Sequence, residues 1–203
     1  GRSARAGAWP QPPAATVVDA GMTQDWRAVL LAGGRSSRMG TDKAMLPWGA
    51  GTLIAHMHAL LLTAGARQVV VSGHRPEFDG VPDAQPGTGP MGALAQLAPQ
   101  LQEGQWLVVP VDMPLLTVEL VHALLSVDAA CACVEDHPLP MALRLDADVR
   151  AVLADIGARE GRVRSLRALH ERLRATYVPA PPWREALRNG NTPEEWGALR
   201  TMR

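Results

Sequence analysis

The sequence predicts an α/β fold with a largely parallel sheet at its core. Three observations carry this reading. Short apolar runs alternate with segments of helical periodicity. The links between them are short, and strand–helix–strand alternation with short links builds parallel sheets. Several helices open on a residue suited to capping them. The length of 203 residues allows one compact domain with a sizeable core.

The elements follow in order. Residues 1–25 contain Trp9-Pro10-Gln11-Pro12-Pro13 and a run of alanines. They show no periodicity and lack the apolar core of a secretory signal. They are expected to be a disordered extension or a remnant of expression, with Met22 serving as a natural start. Residues 26–203 are expected to form the single domain. Arg27–Ala32 reads as a buried strand. After the following loop, Thr52 can cap a helix to about Ala64, with Leu53, Met57, Leu60 and Leu61 on one stripe. Gly65 ends it. Gln68–Ser72 is a second strand, and residues 73–89 form a Gly-, Pro- and Asp-rich loop. Met91–Leu101 reads as a helix with Pro90 in its first turn. Trp106–Val111 is a third strand, and Thr117 caps a helix to about Leu125. Ala129–Val134 and Met141–Leu145 read as strands, Ala147–Ile156 and Arg162–Arg174 as helices, and Ala175–Val178 as a final strand. Thr192-Pro193-Glu194-Glu195 opens a last helix with a cap, a proline and acids in the first turn.

Composition excludes some classes of function. Net charge is zero, which lacks the basic excess of a nucleic-acid binder. No apolar run reaches the ~18 residues of a membrane span. Cys131 and Cys133 alternate within an apolar strand and read as two small core residues rather than a disulfide or metal pair. Nothing demands an oxidising compartment, so a cytoplasmic location is expected. The six histidines have no metal spacing. His74, at the end of the second strand, is a weaker candidate for ligand contact.

Of the 20 lysines and arginines, Lys43 is the single lysine. It closes the stretch Leu31-Ala32-Gly33-Gly34-Arg35-Ser36-Ser37-Arg38-Met39-Gly40-Thr41-Asp42-Lys43. A strand runs into a Gly-Gly turn whose backbone amides can approach an anion. Ser36, Ser37, Arg38 and Lys43 add donors and charge. Lysine is a compact point charge and arginine a flat fork, so a lysine kept here points to phosphate. The spacing is not that of a P-loop.

Asp112 directly follows the third strand and is fenced by Pro110 and Pro114. Its carboxylate should face the mouth of the sheet, where ligands of parallel sheets bind and where Mg²⁺ with phosphates would sit. The competing reading is a helix cap, although Thr117 is better placed for that. Asp83, beside Pro82, reads from spacing alone as turn chemistry. Gly87-Thr88-Gly89-Pro90-Met91-Gly92 matches G-x-G-x-x-G but does not follow directly on a strand. Its glycines are expected to let backbone pass close to a ligand or to the first loop. Asn189-Gly190-Asn191 can form a turn before the last helix or present two amides to a polar substrate.

These residues together resemble the MobA-like nucleotidyltransferases over roughly residues 26–200. The resemblance rests on the Leu31–Lys43 loop, Asp83, Gly89-Pro90-Met91, Val111-Asp112-Met113-Pro114 and Asn189-x-Asn191-Thr192-Pro193-Glu194-Glu195. His137–Leu143 and Glu160–Leu166 add to it. The Asn-x-Asn-Thr-Pro ending favours the molybdopterin branch. The resemblance implies a three-layer Rossmann-like nucleotidyltransferase fold, its mostly parallel central sheet flanked by helices. It implies guanylyl transfer from GTP to molybdopterin or its molybdenum-loaded form, with Mg²⁺. Leu31, Ala32, Gly33 and Gly34 would hold the nucleotide, Lys43 and Arg38 the phosphates, and Asp83 the guanosine. Asp112 would hold the metal and lie near the nucleotide. Asn189 and Asn191 would place the pterin. Molybdenum-insertion proteins and apo-molybdoenzymes would be its partners. The chain departs from the family pattern at Ser72-Gly73-His74, where asparagines are usual, at Ala93 in place of a glycine, and at Leu187-Arg188. Cytidylyl transfer, or a non-catalytic nucleotide-binding module on the same fold, are the alternatives.

Overall fold

A computed structural model describes residues 25–33, 42–190 and 192–201 of the chain. Its centre is a six-stranded sheet. The strands are β1 (Trp26–Leu31), β4 (Val69–Ser72), β5 (Gly104–Pro110), β6 (Cys131–Val134), β7 (Met141–Leu145) and β8 (Thr176–Val178). Their order across the sheet is β4-β1-β5-β7-β6-β8. β1 pairs in parallel with β4 (Leu31 opposite Ser72) and with β5 (Leu31 opposite Pro110). β7 runs antiparallel to both of its neighbours, and β6 and β8 are parallel. The sheet is therefore mostly parallel, with β7 alone reversed.

Both faces of the sheet are covered, which is why its central strands read as continuous apolar runs. Ala28, Leu30, Leu107 and Val109 face α1 (Leu53–Thr63), α3 (Val118–Leu125) and α6 (Pro193–Thr201). Val29, Leu31, Trp106 and Val108 face α2 (Gly89–Leu97), α4 (Ala147–Gly157) and α5 (Leu166–Leu173). Three layers result. Each large side chain buried this way contributes about 1.5–3 kcal/mol. Cys131 and Cys133 share the second of these cores as free thiols, as the strand alternation predicts.

Caps set the helix starts. The side chains of Thr52, Thr117, Asp146 and Ser165 accept from backbone amides three residues on, at 3.4, 3.3, 2.8 and 3.2 Å. At α6 the pairing is reciprocal. Thr192 Oγ1 accepts from Glu195 N–H, and Glu195 Oε2 accepts from Thr192 N–H, a capping box.

Two helices differ from the sequence reading. α2 starts at Gly89, ahead of Pro90, and stops at Leu97. α5 starts at Leu166, because Ser165 caps it and the residues before it form a separate 3₁₀ turn, Gly161–Val163, with Gly161 at φ 62°. A small hairpin also goes unseen in the sequence. β2 (Pro47–Trp48) pairs antiparallel with β3 (Gly51–Thr52). It sets the Trp48 ring against Trp196 of α6, centroids 5.4 Å apart.

From β1 the chain moves to β4 on one side and then to β5 on the other. The carboxyl ends of β1 and β5 therefore flank a point where the winding reverses, the usual site for a ligand in such sheets.

Candidate active site

A cleft of about 390 Å³ opens at those carboxyl ends. Leu31, Ala32 and Gly33 line it from the end of β1, Ser72 from β4, and Pro110, Val111 and Asp112 from β5. Asp42, Lys43 and Ala44 close another side, and Asp83, Gly87, Gly89, Pro90 and Ala93 a third.

Lys43 and Asp112 meet across the cleft. Lys43 Nζ donates to Asp112 Oδ2 at 3.2 Å. Asp42 accepts from Ala44 N–H at 3.1 Å and so caps the 3₁₀ turn Lys43–Met45 on which the lysine stands. Asp112 does not serve as the cap of α3. Thr117 does.

Asp83 is held from several directions. Ser72 Oγ donates to its Oδ1 at 3.3 Å. Gln96 of α2 pins both neighbours, donating to Pro82 O at 2.8 Å and accepting from Ala84 N–H at 2.7 Å. Asp83 Oδ2 lies so near Gly33 that a Cβ there would stand 2.6 Å away. Gly33 is thus required by close approach. The middle-loop aspartate is part of the cleft and not turn chemistry alone.

Of the other sequence candidates, Asn189 is exposed. Its neighbour Gly190 donates its N–H to the carbonyl oxygen of Asp112 at 3.3 Å, which brings the Asn189 segment beside the site. Gly34, Arg38 and Asn191 lie outside the described residues. His74 is exposed and does not line the cleft. The glycines at 87 and 89 do line it, as expected of backbone passing close to a ligand.

The sequence reading missed Ser72, Asp42 and Arg75. Arg75 donates to Ala32 O and to both carboxylate oxygens of Asp42. The available signal was an arginine just beyond a strand's carboxyl end.

A metal can be tested against this donor set. Asp112 offers one carboxylate to the cleft. Among the described residues no group of three or more His, Cys, Asp or Glu side chains forms a metal cage. A single carboxylate suits magnesium, which keeps water and phosphate oxygens in its shell. A lysine, three aspartates and strand-end backbone lining one cleft can bind and align a polyanion together with a divalent cation. They do not supply a nucleophile–base pair.

The model of the MobA-like NTP transferase domain family matches residues 28–176. The chain belongs to this family. A molybdenum cofactor guanylyltransferase of Xanthomonas euvesicatoria is 48% identical over 181 residues, covering 88% of this chain and 96% of that protein. The chain is thus a member of a nucleotidyltransferase family, an enzyme class that generally works with divalent metals. Among solved structures, the molybdopterin-guanine dinucleotide biosynthesis protein A of Archaeoglobus fulgidus superposes with a TM-score of 0.68 at 19% identity, covering 87% of this chain and 97% of that one. The 2-C-methyl-D-erythritol 4-phosphate cytidylyltransferase of Thermus thermophilus gives 0.62 at 17%, covering 87% and 98%. These two likenesses show the shared fold.

Proposed function

We propose that residues 26–203 act as one domain that transfers GMP from GTP to molybdopterin, forming the guanine dinucleotide and releasing pyrophosphate. The observation that carries this reading is the facing pair Lys43 and Asp112 at the winding reversal. The 48% identity to a guanylyltransferase over most of both chains supports the choice of acceptor and nucleotide.

In this reading, a terminal phosphate oxygen of the pterin attacks the α-phosphorus of GTP. A new P–O bond forms, the bond to the β-phosphate bridging oxygen breaks, and pyrophosphate leaves. The attacking phosphate is already anionic, so no strong general base is required. That agrees with a cleft whose described lining contains no histidine. The protein's task is to align two polyanions and to stabilise charge on the departing group. Lys43 would neutralise phosphate charge, together with Arg38. The backbone of Leu31, Ala32, Gly33 and Gly34 would hold the nucleotide. Asp83, fixed by Ser72 and the Gln96 bonds, would accept from the guanine or its ribose. Asn189 and Asn191 would orient the pterin beside Asp112.

Asp112 would hold Mg²⁺, which supplies charge neutralisation and geometry across the phosphates when bound. The reaction would run in the cytoplasm, where a reducing poise keeps Cys131 and Cys133 as thiols. Molybdenum-insertion proteins and apo-molybdoenzymes would be its upstream and downstream partners.

The test is pyrophosphate release with Mg²⁺ and molybdopterin, with GTP, CTP, ATP or UTP supplied separately. Release with GTP alone is expected. Release with CTP alone would keep the mechanism and change the base. No release, from folded protein that binds the pterin, would leave a nucleotide-binding module.

A further inference from the structure

One guanidinium joins two segments at the base of the cleft. Arg75 Nη2 and Nε donate to the carbonyl oxygen of Ala32 at 2.9 and 3.3 Å. The same group grips Asp42 with two bonds, Nη1 to Oδ2 and Nη2 to Oδ1. Ala32 directly precedes Gly33, and Asp42 directly precedes Lys43. Arg75 therefore ties the start of the loop after β1 to its end.

The clamp is itself anchored. The carbonyl of Arg75 accepts from Phe78 N–H at 3.0 Å and from Gly80 N–H at 2.9 Å. Exposed ion pairs are worth little; here the Asp42 side chain is 43% exposed, but the Arg75 side chain is only 15% exposed and also holds the Ala32 carbonyl. Its forked geometry on a carboxylate is one that lysine does not reproduce. Asp42 passes the constraint on, because Oδ1 also caps the Lys43–Met45 turn. Arg75 does not line the cleft, so its effect must travel through these contacts.

We propose that Arg75 is a positioning residue: by clamping Ala32 to Asp42 it aims the Lys43 turn so that the ammonium faces Asp112 where nucleotide phosphates bind. The nucleotide part of this inference rests on the function proposed above.

The single lysine makes the proposal directly measurable. Protein labelled with ¹³C only in lysine gives one Cε signal, that of Lys43. In the wild type, Asp112→Asn is expected to shift this signal. In an Arg75→Ala background the signal is expected to lie near its random-coil position and to respond little to Asp112→Asn. Arg75→Lys adds a second lysine signal and is read by nucleotide affinity alone, where it is expected to behave like Arg75→Ala, since charge alone does not bridge both partners. Calorimetry with GTP and Mg²⁺ is expected to show about tenfold weaker binding for both Arg75 variants. If Arg75→Ala does not fold, Asp42→Asn replaces it. That variant retains an oxygen for the cap at Ala44, loses the ionic fork, and is expected to give the same changes.

A Lys43 signal that keeps its position and its response to Asp112→Asn without the clamp would overturn the proposal. A displaced signal with unchanged GTP affinity would overturn its link to nucleotide binding. Wild-type protein that binds no GTP, with the Lys43 signal behaving as expected, would reject the guanylyl reading and uphold the clamp.

Discussion

Lys43 Nζ and Asp112 Oδ2 stand 3.2 Å apart although 69 residues separate them in the chain. Their side chains are only 16% and 18% exposed. A cation and an anion paired in the lining of a cleft hold each other in place. Replacing Lys43 or Asp112 by alanine is expected to leave the fold intact and to lower turnover by on the order of 10² or more. Steady-state pyrophosphate release alongside circular dichroism checks this. Near-normal turnover in either folded variant would remove the pair from the chemistry.

Asp83 and Gly33 are so close that a methyl group on Gly33 would strike Asp83 Oδ2. Gly33→Ala is expected to displace that carboxylate, and Asp83→Asn to weaken what it accepts. Both should raise the KM for GTP by about tenfold, the worth of one charged hydrogen bond. The effect on kcat should be smaller. Initial-rate kinetics over GTP concentration would show it, and equal losses in kcat for both variants would argue against a binding role.

Gly190 lies against the last helix. A Cβ there would stand 2.6 Å from Trp196 Cε3 and 3.2 Å from Leu199 Cδ1. Gly190→Ala should cost about 1–3 kcal/mol of stability through overpacking. Urea unfolding reads this as a lower midpoint at unchanged slope. An unaltered midpoint would mean that α6 shifts freely.

Cys131 and Cys133 are buried thiols. The hydrogen bond with Cys133, then burial, push the Cys131 thiol up, which disfavours the reactive thiolate. The same bond, with the His170 ring beside it, brings Cys133 down to about 6, so full burial is what keeps Cys133 from a reagent. A thiol reagent is expected to label neither in native protein and both after denaturation. The melting temperature should not change with reductant. Rapid labelling of the native state would show that β6 opens.

Much of this was legible from local pattern. Val69, Val70 and Val71 announce a strand, and Leu107, Val108 and Val109 one buried on both faces. Thr117 and Thr192 announce helix starts. Asp112 was legible because an acid right after a buried strand has few uses other than a ligand or a cap, and Thr117 serves as the cap. Lys43 stood out as the lone lysine. The reversal of β7 was not legible, since Met141–Leu145 looks the same run in either direction. Nor was Arg75. Its partners, Ala32 and Asp42, lie 43 and 33 residues away, and only the packing of β4 beside β1 brings them together. Asp83 was visible only through family resemblance, because Ser72 and Gln96 fix it by tertiary contacts.

The bond from Gly190 N–H to the carbonyl of Asp112 also bears on the order in which the molecule is finished. Chains emerge from the ribosome amino end first, and early segments begin folding before later ones arrive. The β1, β4 and β5 side of the cleft can assemble while the last segment is still being made. Asp112 receives its backbone partner only when residue 190 docks, and Gly190 docks against Trp196 and Leu199. The wall beside Asp112 is therefore among the last parts to close, and a nascent chain halted before α6 would present an unfinished cleft.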